Sequence, residues 1–371
     1  MKILTVIGAR PQFVKAAVVS REIRSRTGIE EVLIHTGQHF DANMSEIFFD
    51  EMKIPKPDYN LEISGLSHGA MTGRMFEAIE KVLINEKPDT VLVYGDTNST
   101  LAGALAAVKL HIPVGHVEAG LRSFNFNMPE EVNRIITDRI SKWLLCPTQT
   151  AIKNLSAEGI VDGGKDVSSS DGFIVKNTGD VMYDAALFYK SIAVFTPDTE
   201  KILSEFKNGF YLATIHRAEN TDDPVRLSSI LKALNEISEK NTVILPLHPR
   251  TKKFIESSGF SKSLYNKIRF IDPVGYFDMI GLLSNCSGVF TDSGGVQKEA
   301  CFFHKLCITL RDETEWVELV ENGFNELAGA DFNKIIAAEK KISGKKADFS
   351  KKLYGDGNAG KRIVDILIGI Q

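Results

Sequence analysis

The feature that most constrains the fold of this chain is a regular alternation of short β-branched runs with helical patterns along its whole length. A chain of this kind forms parallel sheets covered by helices on both faces. Because its 371 residues exceed the size at which one hydrophobic core stops growing, two domains are expected. The predicted strands cover residues 2–7, 31–35, 90–94, 114–117, 143–146 and 173–175 in the first half, and 211–215, 242–245, 268–271, 288–291 and 306–309 in the second.

The domain boundary is predicted between residues 180 and 205, where a Thr-Pro-Asp turn precedes a new series of strands. This gives an N-terminal Rossmann-like domain of residues 1–185 and a C-terminal one of residues 186–357. An apolar helix at about residues 358–371 follows a glycine-rich turn and is predicted to pack back on the first domain. The predicted fold class is therefore α/β with two doubly wound domains.

Composition and charge exclude several classes of protein. A charged content of 25% and a net charge of −4 are ordinary for soluble globular proteins and leave no basic field for nucleic acid. The first residues lack the pattern of a signal peptide, and no apolar run is long enough to span a bilayer, so we expect a cytoplasmic protein. The four cysteines have no metal-ligand spacing, which favours free buried thiols and no bound metal.

Candidate functional residues follow the predicted strands, because ligands gather at the carboxyl edge of a parallel sheet. The turn and helix after the first strand place Arg10 and Lys15 at that edge, where a phosphate could bind. A tight turn with two solvated cations is the alternative interpretation.

Two neighbouring strands of the first domain end in acids. Asp96 follows strand 90–94, and Glu118 follows strand 114–117, so both carboxylates lie at one edge. Asp96 is explained equally well as a helix N-cap. Carboxylates that pack together can acquire separated pKa values, with one basic and one protonated, which favours acid–base chemistry.

A third acid, Glu130, opens a helix marked by a proline and a second acid. If the apolar stripe of this helix faces the core, Glu130, Arg134 and Asp138 share the opposite face, which could also be an ordinary solvated surface. The stripe consists of Val132, Ile136 and Ile140.

In the second domain, His216 follows strand 211–215 and could exchange protons near neutral pH. His248 follows strand 242–245 in a weaker copy of that arrangement. A lone histidine is more often structural, but a His-Arg pair that enters a loop at a strand end favours function.

Residues 291–299, TDSGGVQKE, combine a strand end, a serine cap, two glycines and a helix start. Gly294 and Gly295 let a diphosphate approach the helix N-terminus that Ser293 caps. Glu299, one turn later, can accept hydrogen bonds from a ribose diol. Such caps are frequent, so only the presence of a second doubly wound domain favours a nucleotide-diphosphate site here.

Six motifs together resemble the non-hydrolysing UDP-N-acetylglucosamine 2-epimerases in order and spacing. They are the turn after the first strand, GDTNST, HVEAGLRS, MPEEVNR, HRAEN and TDSGGVQKEA. The resemblance spans residues 1–357 and implies a glycosyltransferase-B-like fold, with two Rossmann-like domains facing a central cleft. It also implies a UDP-sugar substrate, no cofactor and a homodimer.

The resemblance implies a reaction and roles for individual residues. UDP and the C-2 proton are eliminated to give an enzyme-held 2-acetamidoglucal, and UDP re-adds after reprotonation on the other face. The implied catalytic residues are Asp96, Glu118, Glu130 and His216, and the implied substrate contacts are Arg10, Lys15, Arg134, Ser293, Gly294, Gly295 and Glu299.

Three departures from the family pattern concern the sugar. Gln12 stands where glutamate is more common, Ala9 where threonine is usual, and Trp316 where an arginine is common. They resemble the subgroup that epimerises UDP-2,3-diacetamido-glucuronate, so Gln12 and Trp316 are candidate specificity residues. The expected function is C-2 epimerisation of a UDP-N-acetylglucosamine-type sugar for surface polysaccharide synthesis, with the diacetamido-glucuronate as the alternative substrate.

Some family members bind a second, regulatory nucleotide-sugar. Five residues match positions of that site, although Asp41 occurs where a glutamine is expected; they are Gln38, His39, Arg74, Arg217 and His248. The rival functions are a UDP-sugar glycosyltransferase, a hydrolysing epimerase and a nucleotide-binding regulator. A glycosyltransferase or a regulator gives no reason for three acids at one edge, and a hydrolysing epimerase would irreversibly yield free sugar and UDP.

Overall fold

A computed structural model describes residues 1–38, 53–164, 172–345 and 347–370 of the chain. The chain separates into two compact units, one formed by Met1–Leu187 with Lys352–Gln371 and the other by Phe188–Lys351. Each unit contains its own parallel sheet. Within the four described ranges, no helix combines the length and the apolar character needed to cross a membrane.

The sheet of the first unit has seven strands among the described residues, all paired in parallel, in the order β3-β2-β1-β4-β5-β6-β7. This is a doubly wound order, which reverses once between β1 and β4. Ile3 of β1 pairs there with Thr90 of β4. The strands are β1 (Lys2–Ile7), β2 (Glu30–His35), β3 (Tyr59–Asn60), β4 (Thr90–Tyr94), β5 (Val114–Val117), β6 (Trp143–Cys146) and β7 (Ile174–Asn177).

Helices cover this sheet because the strand side chains are apolar on both faces, as in β1, where Leu4 and Val6 on one face and Ile3 and Ile7 on the other are completely buried. Local signals set several helix starts, including a proline in the first turn of α1 and a threonine cap before α3. The helices that begin here are α1 (Arg10–Arg24), α2 (His68–Glu86), α3 (Asn98–Lys109), α4 (Pro129–Ile140), α5 (Gln149–Ala157) and α6 (Val181–Ile192).

The second unit repeats the same topology in a sheet of six parallel strands among the described residues, in the order β10-β9-β8-β11-β12-β13. Its reversal lies between β8 and β11, where Thr214 pairs with Thr291. The strands are β8 (Tyr211–Thr214), β9 (Val243–Pro246), β10 (Arg269–Ile271), β11 (Gly288–Thr291), β12 (Cys307–Thr309) and β13 (Asn325–Leu327).

The core of the second unit forms where Ala213, Phe290 and Ile308 of the sheet meet Leu227 and Leu231 of a helix. The helices are α7 (Pro197–Glu205), α8 (Ala218–Thr221), α9 (Pro224–Ile237), α10 (Pro249–Ser257), α11 (Tyr276–Asn285), α12 (Gly294–Phe302), α13 (Val317–Glu321) and α14 (Phe332–Ile342), with a 3₁₀ turn at Lys262–Leu264.

The last helix, α15 (Ala359–Leu367), packs against α1 in the first unit. Gly360 permits this contact, because a Cβ on it would lie 2.6 Å from Cγ1 of Val18. The Gly360 amide also donates to Oδ2 of Asp184 at 2.9 Å. The first unit is therefore assembled from two separate stretches of the chain.

The predicted fold class, α/β with two doubly wound parallel-sheet domains, is confirmed. Every predicted strand corresponds to an observed one, with bounds that differ by two residues or fewer. The sequence analysis missed the edge strands β3 and β13, which are only two and three residues long.

Candidate active site

In a doubly wound sheet, ligands bind where the strand order reverses, and the first unit concentrates polar side chains at that point. Gln12 of α1 ties the turn after β1 to the turn after β4. Its Oε1 accepts from the amides of Gly8 and Ala9 at 2.8 and 2.9 Å, and its Nε2 donates to the Tyr94 carbonyl at 2.6 Å and to Thr97 Oγ1 at 3.0 Å. These bonds saturate the buried amide, so Gln12 positions the turns and offers no polar atom to a sugar.

Lys15 and Glu118 form an ion pair between Nζ and Oε2, with both side chains largely buried. The pair lies over Gly95, since a Cβ on that residue would lie 3.4 Å from Glu118 Oε2 and 3.8 Å from Lys15 Nζ. Glu118 itself has a φ of +71°, a left-handed conformation that is costly for a glutamate. Strain of this kind persists where the surroundings hold it, often at functional sites.

Asp96 is not the cap of α3, because Thr97 is the capping residue and accepts from the Thr100 amide. The Asp96 carboxylate instead pairs through Oδ2 with Nη2 of Arg134, and a third of its side chain stays exposed. Its carbonyl accepts from Nδ2 of Asn133 at 2.9 Å. Of the two interpretations of Asp96, the structural one as a cap is therefore wrong.

The two glutamates at the start of α4 differ in environment. Glu130 is exposed, on the same side of the helix as Arg134 one turn later. Glu131 is buried and accepts from the amides of Ser123 and Phe124, each at 2.9 Å, and from Nη1 of Arg134 at 2.7 Å. Glu131 therefore anchors the loop before the helix, and Glu130 is available to a ligand.

The predicted orientation of α4 is wrong. Val132 and Ile136 of its apolar stripe are each 38% exposed, whereas Asp138 on the supposedly solvated face is completely buried. The helix turns a polar face inward, because Glu131, Asn133 and Asp138 each find a charged or hydrogen-bonding partner there. The buried polar residues are Glu131, Asn133, Thr137 and Asp138.

The reversal point of the first unit therefore brings together Lys15, Asp96, Glu118 and Arg134, with Glu130 on the adjoining helix face. Arg10 is exposed at the first position of α1. Two carboxylates, each beside a cation, can exchange protons with a substrate while the cations stabilise negative charge.

In the second unit, Asp292 joins the ends of β8 and β11. Its buried carboxylate accepts from the amides of His216 and Arg217 at 3.1 Å and from Nδ2 of Asn220 at 3.2 Å. His216 Nδ1 lies 3.3 Å from Asp292 Oδ1. Burial lowers the pKa of His216, Asp292 opposes that shift, and His248 and Arg217 add to it. The lowered pKa favours the neutral imidazole, and only a neutral imidazole can accept a proton.

The N-terminus of α12 is shaped as expected for an anion. Ser293 caps it by accepting from the Val296 amide at 3.4 Å, and Gly295 is exposed. Gly294 is tightly enclosed, because a Cβ on it would lie 2.3 Å from Oε1 of Glu315. No other residue fits at this position without movement of Glu315.

Trp316 lies against this helix start and not on an open surface. Its indole Nε1 donates to the Gly294 carbonyl at 2.9 Å, and the Nζ of Lys298 lies 4.4 Å from its ring centroid. Only 8% of the residue is exposed. An effect of Trp316 on sugar choice would therefore act through the backbone at Gly294.

Glu299, on the second turn of α12, is 8% exposed, and burial raises the pKa of its carboxyl to about 7. Tyr276 of α11 lies against it. Burial raises the pKa of the Tyr276 phenol, and the Glu299 carboxylate raises it further. A buried carboxyl poised near neutrality favours a ligand that supplies hydrogen-bond donors, as a ribose diol does.

The candidate regulatory residues come from both units. Oε1 of Gln38 accepts from the amide and hydroxyl of Ser99, at 3.0 and 2.7 Å, and Arg74 is exposed on α2. In the second unit, the ring centroids of His216 and His248 are 6.0 Å apart. His39 and Asp41 lie outside the described residues.

No cluster of three or more histidine, cysteine, aspartate or glutamate side chains suited to a metal ion occurs in the described part of the chain. All four cysteines are free thiols, as predicted. Sequence reasoning missed the partners that hold the site, chiefly His116, Glu131, Asn133 and Asp292. All four lie inside the quoted motifs, but only a structure shows that their side chains point inward.

Two doubly wound units, each with polar groups at its reversal point, define a nucleotide-dependent α/β protein. The sequence matches the UDP-N-acetylglucosamine 2-epimerase family over residues 21–368, and the chain belongs to this family. It is an isomerase of the UDP-sugar 2-epimerase kind, as the sequence predicts.

Individual relatives extend over the full chain. A UDP-2,3-diacetamido-2,3-dideoxy-D-glucuronate 2-epimerase from Pseudomonas aeruginosa is 56% identical over 368 residues, 99% of both chains. The crystal structure of Methanocaldococcus jannaschii UDP-GlcNAc 2-epimerase in complex with UDP-GlcNAc and UDP is similar with a TM-score of 0.82 and 43% identity, covering 100% of both chains. The Neisseria meningitidis enzyme bound to UDP-GlcNAc has a TM-score of 0.80 and 33% identity, again over 100% of both.

Proposed function

We propose that this chain inverts C-2 of a UDP-N-acetylhexosamine without hydrolysing it. The observation that carries the proposal is the pairing of two acids, Asp96 and Glu118, with the cations Arg134 and Lys15 at the reversal point of the first unit. In the second unit, the start of α12 at Gly294 offers a place for the diphosphate of UDP, and the buried Glu299 offers a partner for its ribose. Structures of related enzymes hold UDP-GlcNAc or UDP.

In the proposed reaction, a carboxylate removes the C-2 proton while the bond between C-1 and the UDP oxygen breaks. UDP leaves with the bonding electrons, and a 2-acetamidoglucal stays bound. A second acid then protonates C-2 from the opposite face, and UDP re-adds to C-1. Proton transfer by positioned acids and stabilisation of the diphosphate by cations are the two effects on which the rate depends.

The proposal divides these tasks between two functional domains. Residues 1–185, with the helix at 358–371, carry the acids Asp96, Glu118 and Glu130, and Arg10, Lys15 and Arg134 as phosphate and sugar contacts. Residues 186–357 bind UDP through Ser293, Gly294, Gly295 and Glu299, and His216 assists catalysis. No cofactor or metal takes part in this scheme.

Exchange of the C-2 proton tests the proposed reaction against its rivals. Incubation with UDP-N-acetylglucosamine in deuterated water, followed by proton NMR, is expected to show loss of the C-2 proton signal and formation of the C-2 epimer. A glycosyltransferase would release UDP only with an acceptor present, and a hydrolysing epimerase would accumulate free sugar. Either of those outcomes would contradict the proposal.

The identity of the sugar is a further prediction. The Pseudomonas aeruginosa relative is named for the diacetamido-glucuronate, so we expect kcat/KM for UDP-2,3-diacetamido-glucuronate to exceed that for UDP-N-acetylglucosamine by roughly tenfold or more. This ratio reports differential binding of the transition state. A preference for UDP-N-acetylglucosamine would reject the subgroup and leave the C-2 chemistry in place.

The apolar side chains exposed beside the first-unit site support a homodimer. Phe124 and Phe126 of the loop before α4 are 75% and 73% exposed, and Val132 and Ile136 of α4 are each 38% exposed. Exposed apolar patches of this kind often mark subunit contacts. Sedimentation equilibrium measures the oligomeric state.

We further assign the enzyme to the cytoplasm, where nucleotide-sugars are made. Its proposed role there is the synthesis of surface polysaccharide precursors.

A regulatory nucleotide-sugar site is also proposed, at Gln38, His39, Arg74, Arg217 and His248. The side chain of Gln38 already has a partner in Ser99, so its amide NH₂ is the group left for a ligand. If the site functions, initial rates rise more steeply than a hyperbola with substrate concentration. Strictly hyperbolic kinetics would contradict it.

A further inference from the structure

His116 lies in the middle of β5 and is completely buried, yet both of its ring nitrogens meet a hydrogen-bond partner. Nδ1 lies 2.7 Å from Oδ1 of Asp138, and Nε2 lies 2.7 Å from the carbonyl oxygen of Gly95. A carbonyl oxygen only accepts, so Nε2 must carry a proton. The contact with Asp138 on the other side fixes the orientation of the ring.

Asp138 connects the His116 ring to a second turn. Besides His116, its carboxylate accepts from the Gly120 amide at 3.1 Å and from Nη1 of Arg122 at 2.7 Å. Three bonds therefore fix this carboxylate between the ring, the turn after β5 and a guanidinium.

Arg122 ties this cluster to the end of α5, where Glu158 is the C-cap residue. It binds Glu158 through Nε at 2.6 Å and Nη2 at 2.7 Å, in addition to Asp138. Burial lowers the pKa of Arg122, but its bonds to Glu158 and Asp138 outweigh that and shift it upward. Cys146 also faces the cluster, and burial raises the pKa of its thiol. Two carboxylates therefore hold Arg122 in place beside the His116 ring.

The cluster holds the two turns that carry the proposed acids. Gly95, which His116 binds, immediately precedes Asp96, and Gly120, which Asp138 binds, comes two residues after Glu118. Glu118 has the unfavourable φ of +71°, which needs support from its surroundings. The His116 ring thus fixes the backbone just before Asp96, and the Asp138 carboxylate fixes the backbone just after Glu118.

We propose that His116, oriented by Asp138, is a positioning residue that sets the catalytic turn at Asp96 through its hydrogen bond to Gly95. The inference rests on the proposed function, in which Asp96 is a catalytic acid. It assigns His116 no contact with substrate, so the effect on turnover should exceed any effect on UDP binding.

Two substitutions of His116 separate positioning from packing, because each keeps one arm of the ring. In His116→Gln the amide NH₂ can replace Nε2 and keep the bond to Gly95, whereas in His116→Asn it can replace Nδ1 and keep only the bond to Asp138. We expect kcat of the Asn variant to fall roughly 10- to 100-fold, that of the Gln variant to stay within about fivefold of wild type, and KM to change less than about threefold in both. Equal losses in the two variants, or no loss in either, would overturn the positioning role.

The bond from Nε2 to Gly95 is tested on the wild-type protein, so the proposal does not depend on either variant folding. Long-range ¹H–¹⁵N spectra of protein labelled at its eight histidines should show that Nε2 of His116 carries a proton. If that nitrogen is unprotonated, His116 cannot donate to Gly95 and the inference is wrong.

Failure of the proposed function gives a different pattern. A wild-type protein that binds UDP but exchanges no C-2 proton in any UDP-hexosamine would reject the epimerase reaction while the histidine spectrum stayed as expected. Normal wild-type turnover with insensitivity to both substitutions would reject only the role of His116.

Discussion

Turnover of the variants Asp96→Asn, Glu118→Gln and Glu130→Gln is expected to fall by roughly 100-fold or more each, because proton transfer by a positioned acid or base contributes about 10²–10⁴-fold. The amides keep the shape of the side chains but cannot exchange the proton. Steady-state rates of epimer formation, measured by NMR, give the effect.

Retained UDP binding separates lost chemistry from lost structure in these variants. Calorimetric titration should show that UDP binding survives, because Ser293, Gly294, Gly295 and Glu299, the residues proposed to bind UDP, lie in the second unit. Glu77→Gln is a matched control, since Glu77 is an exposed acid on α2 paired only with Lys81 in the described contacts, and such pairs contribute little. Near-wild-type turnover of any one of the three variants would remove that residue from the mechanism.

Affinity for UDP is expected to weaken by roughly 1–3 kcal/mol in Glu299→Ala, the cost of leaving hydrogen-bonding groups unpaired in a buried site. The physical reason is the position of Glu299, which is buried one turn after the enclosed Gly294. Calorimetry with UDP measures the change, and Asp96→Asn, altered only in the first unit, serves as its control. An unchanged affinity would mean that the ribose is bound elsewhere.

The same carboxyl makes the stability of the unliganded protein depend on pH. Burial raises the pKa of Glu299 from an ordinary value of 4.5 to about 7, so between these values the folded chain holds a proton that the unfolded chain has released. This lowers the free energy of unfolding as pH rises through that window, and the loss is complete above about pH 7. Urea unfolding should show that Glu299→Gln gains up to about 3 kcal/mol over wild type between pH 5 and 8. An equal difference at both pH values would contradict the burial of an ionisable group here.

Much of the fold could be predicted from sequence, because central strands are short apolar runs bounded by turns. The predicted bounds of β1, β4 and β11 coincide with the observed ones. The edge strand β3 was missed because Tyr59–Asn60 is too short to show any periodicity. Its pairing with β2 depends on contacts with the rest of the unit, which local sequence does not encode.

The residues of the site could be predicted from sequence, but the contacts that hold them in place could not. Periodicity located Glu130 and Arg134 on one face of α4, yet it could not show which face turns inward. That choice depends on ion pairs such as Arg134 with Asp96, which join segments 38 residues apart in sequence. Likewise, Gln12 could be recognised as a departure from the family pattern, but its five buried hydrogen bonds depend on two turns meeting.

The contact of α15 with α1 has a consequence for the order in which the protein folds during synthesis. The second unit is one continuous stretch, and α15 follows it in the chain. The ribosome therefore releases everything the second unit needs before it releases the helix that covers Val18 on α1. We expect the second unit to reach its native state first. Until α15 is synthesised, the apolar surface of α1 stays partly exposed, so chaperones can bind it.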